Sequence, residues 1–256
     1  MSFKRKVQPP LAVNPSSVIF YGLPKTGKTY SLVQLEDHVV LDFANETDFV
    51  SCNRQKIGSL KEFRQYITEA YKAKQNGESY RYIILDNSTE MENIFAEYAL
   101  EEFKKHGTSL KEEDKANLTS IFDLAMGGGE KWYRDAWKYW LKILESLCET
   151  VIIIGHVKDK ELSTVATKEE VVDERDLQLR GQLAIIMASY VSAMGFVYRD
   201  LSDNLVVTFK SNKTSTGSRC IHLANKEFVI MAADSSTANW SEVFVDTSSQ
   251  KIDIVK

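Results

Sequence analysis

The sequence is poor in the residues that stabilise small secreted or metal-binding folds. Its 256 residues include only three cysteines, at positions 52, 148 and 220, and these lie far apart. Their spacing fits neither a disulfide framework nor a zinc site, and the four histidines form no ligand cluster. We therefore expect reduced thiols and a cytoplasmic location.

Long apolar runs and an excess of positive charge are also missing. No hydrophobic stretch approaches the roughly 20 residues that a membrane-spanning helix needs. The basic segment MSFKRKVQPP is not followed by an apolar stretch, so we expect neither a signal peptide nor a membrane partner. With a formal net charge of −4, any binding to nucleic acid must depend on a local basic surface.

One stretch carries an explicit chemical signature. Gly22-Leu23-Pro24-Lys25-Thr26-Gly27-Lys28-Thr29 fits the phosphate-loop pattern G-x-x-x-x-G-K-[ST] at every fixed position. An apolar run typical of a buried strand precedes it, and a segment able to form a helix follows. The glycines allow successive N–H groups to face a phosphate, Lys28 can reach the β- and γ-oxygens, and the Thr29 hydroxyl can bind Mg²⁺. The sequence therefore predicts a nucleotide site formed by these eight residues.

Elsewhere, short apolar runs alternate with segments of helical periodicity. Strands are predicted at residues 17–21, 38–42, 82–86, 151–155 and 190–198, with further strand-like runs at 205–210, 220–223 and 228–231. Helices are predicted between these runs, including a short one at residues 183–187. This alternation predicts an α/β fold with a mostly parallel sheet flanked by helices and an antiparallel C-terminal extension.

We expect one domain with two extended ends. All four prolines lie in the first 24 residues, so residues 1–16 are predicted to form an arm. Residues 17–232 are assigned to the domain, and the Ser-, Thr- and Asp-rich residues 233–256 to a polar, partly ordered tail. Within the domain, residues 106–130 are interpreted as a mobile connection.

A phosphate loop needs a carboxylate for the Mg²⁺ shell, and Asp86 is the natural candidate because it ends a predicted buried strand. We expect Thr29 and Asp86 to hold the metal together. Asn87, which follows, stands where one class of phosphate-loop ATPases has a glutamate. The sequence thus gives no adjacent Asp-Glu pair on this strand.

Hydrolysis also needs a group that activates water, and the end of the second predicted strand offers Asp42, Glu46 and Asp48. Glu46 is the first choice, although all three are equally consistent with turn residues. His156 ends the strand at 151–155, where a neutral imidazole could sense the γ-phosphate and signal to residues 157–180. A structural role for this histidine is equally consistent with the sequence.

Four segments together resemble a known family. GLPKTGKT, LDFANETDF, YIILDNSTE and VIIIGHVKDK come in the order and spacing of the phage RecA-like phosphate-loop ATPases of the Sak type. The resemblance covers residues 16–225. It implies a RecA-like core that binds ATP and Mg²⁺ and self-associates into a ring or filament. It also implies action on single-stranded DNA in recombination, annealing or replication, in the bacterial host cytoplasm if the gene is phage-encoded, with a single-strand-binding protein as a further partner.

The same resemblance implies that basic residues of a neighbouring protomer complete the ATP site. Lys210 and Lys213 resemble the family segment with two closely spaced lysines, and Arg219 follows, so all three are candidates; a basic solvated hairpin is the alternative. One position departs from the family. Its second strand usually ends Asp-x-Glu, whereas this sequence has Ala44 at the third position. Slow hydrolysis, hydrolysis through Glu46 and a nucleotide-gated scaffold without turnover therefore remain open.

Single-stranded DNA binding has mixed support from charge. Residues 158–180 include five basic and seven acidic residues, whereas residues 199–226 include five basic and two acidic ones. The basic residues of the N-terminal arm, Lys4, Arg5 and Lys6, could add contacts. A small-molecule kinase is a third hypothesis, but residues 106–130 lack the arginines expected of a kinase lid.

Overall fold

The computed structural model of the protein describes residues 12–160, 174–210 and 216–246. In these ranges the strands are β1 (Ser17–Gly22), β2 (His38–Asp42), β3 (Arg54–Lys56), β4 (Tyr82–Asp86), β5 (Thr150–Lys160), β6 (Glu174–Leu177), β7 (Ala193–Arg199), β8 (Leu205–Thr208), β9 (Gly217–Ser218) and β10 (Glu227–Met231). The α-helices are α1 (Lys28–Leu32), α2 (Leu60–Gln75), α3 (Ser88–His106), α4 (Glu112–Asn117), α5 (Gly129–Glu145) and α6 (Leu183–Tyr190).

The strands form one sheet in the order β10-β8-β7-β1-β5-β4-β2-β3, with β6 paired to β5 and β9 to β7. From β7 to β3 the neighbours run parallel, whereas β8 and β10 are antiparallel. The predicted α/β fold class, with its antiparallel C-terminal extension, is confirmed. Because the parallel strands share one direction, Gly22 lies opposite His156, and Asp86 lies opposite both Ile154 and Asp42, at one carboxyl edge.

Alternation along the strands separates two apolar cores. Ile19 and Tyr21 face a large cluster with residues of α2, α3, α5 and α6. Val18 and Phe20 face the opposite cluster, which includes Leu32 of α1 and several C-terminal side chains. The helix after the phosphate loop therefore packs on a different face from the four other helices that contribute to the larger core.

Residues 232–246, here called the C-terminal segment, pack onto that second face. Trp240 is buried, its ring centroid lies 5.1 Å from that of Phe20, and its indole N–H donates to the carbonyl oxygen of Ser31 at 2.8 Å. Asn14 exchanges two hydrogen bonds with the backbone of Val245. The packed fold thus continues beyond the predicted boundary at residue 232. Residues 1–11 and 247–256 of the predicted arm and tail lie outside the described residues.

The expectation for residues 106–130 is corrected. This stretch contains α4 and two 3-10 turns, Ile121–Asp123 and Ala125–Gly127. Ile121 and Leu124 are buried in the larger core, which fixes the stretch in spite of its polar composition. Sparse apolar residues in a short turn give no periodic pattern, so the sequence did not reveal them.

Three predicted strands also differ from the structure. Residues 220–223 form turns and no strand, so β10 has β8 as its neighbour in the sheet. The strand predicted at 190–198 begins later, at Ala193, because α6 continues to Tyr190. β5 does not end at His156 but runs on to Lys160, where its last four residues pair with β6. We call this antiparallel pair, residues 157–160 and 174–177, the β5–β6 ribbon.

Candidate active site

The phosphate loop joins β1 to α1 in the predicted order. Gly27 has a φ of 104°, a left-handed value that favours glycine. At Gly22 a side chain would overlap the backbone carbonyl of Val197, so only glycine fits there. The loop residues Lys25, Gly27, Lys28 and Thr29 line a cavity of about 250 Å³, which is large enough for a phosphate group.

Lys28 is buried and folds over its own loop. Its Nζ lies 3.1 Å from the Gly22 carbonyl oxygen, 2.8 Å from that of Leu23 and 3.5 Å from the Thr26 hydroxyl. Burial lowers the lysine pKa to about 8, although the charges of Asp86 and Glu46 oppose the shift. A bound phosphate would offer this ammonium stronger, charged acceptors than the loop carbonyls.

Thr29 and Asp86 meet although their elements are not adjacent. β5 separates β1 from β4, yet α1 carries the Thr29 hydroxyl to within 2.7 Å of Asp86 Oδ2, to which it donates. Burial raises the Asp86 pKa to about 7, and the neighbouring Glu46 and Asp42 add to the shift, whereas the Thr29 hydrogen bond opposes it. Asp86 Oδ1 is buried and has no hydrogen-bond partner among the described residues.

This pair fits a magnesium ion on chemical grounds. A divalent cation would satisfy the orphaned Asp86 oxygen and favour the ionised carboxylate. Across the described ranges, no group of three or more His, Cys, Asp or Glu side chains could hold a metal by itself. Mg²⁺ would therefore take its remaining ligands from nucleotide phosphates and water, as it commonly does.

The three carboxylates predicted near the end of β2 lie in different environments. Buried Asp42 accepts hydrogen bonds from the backbone N–H groups of Ala44, Glu46 and Thr47 and from the Thr47 hydroxyl. Asp48 faces solvent and pairs with Lys56 at 2.8 Å. Asp42 thus holds the turn in shape, and of the three only Glu46 lines the phosphate-loop cavity.

Glu46 belongs to a chain of side chains that crosses the carboxyl edge. Asn87 Nδ2 donates to Glu46 Oε1 at 2.7 Å and lies 3.3 Å from His156 Nε2, which is itself 4.0 Å from Glu46 Oε1. Burial and the charge of Lys28 lower the His156 pKa, against the pull of Glu46, so the imidazole is neutral at pH 7. Sequence reasoning treated Asn87 only as a missing glutamate, although a polar residue directly after Asp86 lies at this edge.

A family model described as an AAA domain matches residues 14–230. The chain belongs to this AAA-domain family. Membership implies a P-loop ATPase that binds nucleotide, typically with Mg²⁺. The expected resemblance is thereby confirmed at the level of the ATPase domain, whereas its phage, Sak-type part remains a prediction. No curated protein matches the chain.

Sequence reasoning also missed a contact between Arg199 and the phosphate loop of the AAA domain. Arg199 ends β7, the parallel neighbour of β1, and its Nε donates to the Thr26 carbonyl oxygen of the phosphate loop at 3.2 Å. Its Nη1 donates to the Asp203 carbonyl oxygen at 2.7 Å. The guanidinium therefore supports the loop from the side of β7. Its signal in the sequence was a basic residue ending a strand.

Of the basic residues predicted to act on a neighbour, Lys210 and Arg219 lie away from this cavity. Lys210 Nζ is 3.8 Å from Glu227 Oε2, and the Arg219 guanidinium donates to the carbonyl oxygens of Ser189 and Tyr190 at the end of α6. Lys213 lies outside the described residues. The structure does not bring Lys210 or Arg219 into the phosphate-loop cavity of the same chain.

Among the residues that the structure describes, no helix is both long enough and apolar enough to cross a bilayer.

Proposed function

We propose that this AAA domain hydrolyses ATP, with Glu46 as the group that activates the attacking water. The observation that carries the proposal is the position of Glu46, which lines the same cavity as Lys28, Thr29 and His156. Its carboxylate influences the pKa values of Lys28, Asp86 and His156, so it lies within electrostatic reach of the predicted phosphate position.

Each residue then has a distinct task. Lys28 neutralises charge on the β- and γ-phosphates, and Thr29 with Asp86 would hold Mg²⁺, which withdraws charge from the same oxygens when bound. Glu46 accepts a proton from water as the water oxygen bonds to the γ-phosphorus, while the bond from phosphorus to the β,γ-bridging oxygen breaks and ADP leaves. Neutral His156 lines the same cavity and lies at the base of the β5–β6 ribbon, where it is placed to sense the nucleotide state.

The experiment compares Glu46→Gln with wild type, measuring ATP turnover and the binding of a non-hydrolysable ATP analogue. We expect turnover to fall by about 100-fold or more with binding retained, because the amide cannot take the proton. Undiminished turnover would exclude Glu46 as the base. Tight binding without turnover in wild type would favour the alternative of a nucleotide-gated scaffold, which Ala44 left open.

We further propose that the protein assembles head to tail in a ring or filament. Leu23, Phe49 and Leu201 are exposed apolar side chains on loops that follow β1, β2 and β7 at the carboxyl edge, where a neighbour would cover them. Arg219 lies near the opposite end of β1, since Ser192, which accepts from the Arg219 N–H, donates to Ser17. A head-to-tail contact would thus carry Arg219, Lys210 or Lys213 of one protomer toward the ATP site of the next.

Turnover tests this assembly directly. If the basic residues act in trans, the specific ATPase activity rises with protein concentration, and Lys213→Ala lowers turnover without weakening nucleotide binding to an isolated protomer. Lys210→Ala and Arg219→Ala identify which of the three acts. Activity that is independent of concentration and of all three residues would contradict the trans arrangement.

The nucleic acid on which we propose that the assembled ATPase acts is single-stranded DNA, in phage recombination, annealing or replication. Support comes from the family resemblance and from the β5–β6 ribbon, which begins one residue after His156. Nucleotide state could reach a ligand on the ribbon through that histidine. Single-stranded DNA should stimulate ATP turnover, and a single-strand-binding protein should modulate the stimulation. Turnover that ignores DNA but requires a small acceptor would instead indicate a kinase.

A further inference from the structure

Asn87 uses the two ends of its amide for different purposes. Its Oδ1 accepts the backbone N–H groups of Thr89 and Glu90 at 3.1 and 3.2 Å, which caps α3. This cap defines the orientation of the amide, because the NH₂ group cannot accept a hydrogen bond. The NH₂ group therefore faces the opposite direction, toward Glu46 and His156.

The amide offers two protons, and the site offers two acceptors. One proton is donated to Glu46 Oε1 at 2.7 Å. The other can be donated to His156 Nε2 at 3.3 Å only if that nitrogen carries no proton. The lowered pKa of His156 supports a neutral ring, so the network is consistent with a proton on Nδ1 and a lone pair on Nε2.

Without this donor, Glu46 would be poorly held. It begins a 3-10 turn, Glu46–Phe49, and its side chain is 43% exposed, so solvent could draw the carboxylate away from the cavity. Asn87 is almost fully buried and is anchored to α3, which makes it a rigid partner for a mobile side chain. The bond to Oε1 also leaves Oε2 available to accept a proton from water.

We infer that Asn87 is a positioning residue, which holds Glu46 toward the γ-phosphate site and keeps it apart from His156. The inference rests on the proposed role of Glu46. It explains how the chain manages without a glutamate at position 44 or 87: the carboxylate comes from the turn after β2, and the residue following Asp86 supplies the amide that orients it.

The main test is a double-mutant cycle of Asn87→Ser and Glu46→Gln. Serine caps a helix about as well as asparagine but has no amide to reach Glu46, so α3 should be retained. We expect Asn87→Ser to lower kcat by about 10- to 100-fold with little change in KM. Combined with Glu46→Gln it should add less than twofold, because the base is already lost. Asn93→Ser, on the exposed side of α3, is the matched control.

A second readout does not depend on turnover. Loss of the Asn87 donor exposes His156 Nε2 to Glu46, so the His156 pKa should rise in Asn87→Ser, as followed by NMR of the four histidines with His156→Gln for assignment. The charges that face this imidazole are Lys28, which lowers its pKa, and Glu46, which raises it. Asn93→Ser should leave the His156 titration unchanged.

The outcomes separate the inference from the proposed function. If Asn87→Ser changes only the melting temperature, or if its effect on kcat multiplies fully with that of Glu46→Gln, Asn87 is only a helix cap and the inference is overturned. If wild type shows no turnover, the proposed function fails, and the His156 titration still decides whether Asn87 holds Glu46: the pKa rise caused by Asn87→Ser should be smaller when Glu46→Gln is also present. If Asn87→Ser does not fold, Asn87→Thr keeps a capping oxygen, removes the amide donor without adding a charge and gives the same two readouts.

Discussion

The two sides of the nucleotide cavity are built in different ways. On one side, the phosphate loop presents mainly backbone groups, and two glycines are required by left-handed geometry and by close contact with Val197. On the other side, the turn after β2 presents one side chain, Glu46, whose position depends on Asp42 beneath it and Asn87 beside it. A site built from backbone groups can therefore be predicted from one motif, whereas a site built from a side chain depends on partners that lie far apart in the sequence.

The largest expected effect lies on the phosphate-loop side, at Lys28. Lys28→Ala removes the buried ammonium that faces the predicted β- and γ-phosphates, so ATP turnover should fall by about 1000-fold. Binding of a non-hydrolysable ATP analogue, measured by calorimetry, should weaken strongly. Lys61→Ala, on the exposed surface of α2, is the control. Equal turnover in both variants would mean that Lys28 does not contribute to the nucleotide site.

On the opposite side, Asp42 and Asp48 offer a matched pair of carboxylates. Asp42→Asn leaves buried N–H donors unpaired, because one amide oxygen cannot replace both carboxylate oxygens, and should cost about 2 kcal/mol of unfolding free energy. Asp48→Asn breaks only an exposed ion pair with Lys56 and should leave the free energy of unfolding nearly unchanged. Chemical denaturation measures both, and equal effects would mean that Asp42 does not support the turn.

The Asp86 carboxyl, between the two sides, predicts a pH dependence of stability. Its pKa in the folded protein is about 7, above the ordinary value of 3.8, so its stabilising contribution is full below about pH 4 and is lost as pH rises through 7. Asp86→Asn should therefore stabilise the nucleotide-free protein more at pH 8 than at pH 5, with a difference on the order of 2 kcal/mol in the free energy of unfolding. Melting temperatures measured at the two pH values would show the same order. A pH-independent difference would contradict the burial of an ionising Asp86.

The smallest expected effect concerns the support of α1. Trp240→Phe keeps an aromatic ring against Phe20 but removes the indole donor to Ser31. The loss should be about 1 kcal/mol, or about 2–4 °C in melting temperature for a chain of this size. Trp132→Phe, at a half-buried position of α5, is a comparison on the other face of the sheet. An unchanged melting temperature for Trp240→Phe would mean that the C-terminal segment does not hold α1.

The sequence predicted the backbone-defined parts of the molecule well. The phosphate loop, the strand ending at Asp86 and the fold class follow from fixed glycines and from apolar runs of strand length, which are local signals. Asn87 and Arg199 were missed because their roles depend on which strands become neighbours, and no local pattern encodes that. The packing of Trp240 was missed for the same reason, since one apolar residue in a polar stretch shows no periodicity.

We expect a triphosphate to bind between the phosphate loop and Asp86, with Thr29 and Asp86 as the residues that would hold its Mg²⁺. Calorimetric titration of the wild-type protein with a non-hydrolysable ATP analogue, with and without Mg²⁺, tests it most directly. We predict binding that Mg²⁺ strengthens by at least about tenfold in wild type but hardly at all in Asp86→Asn. Absence of binding, or a Mg²⁺ effect that persists unchanged in Asp86→Asn, would contradict the account.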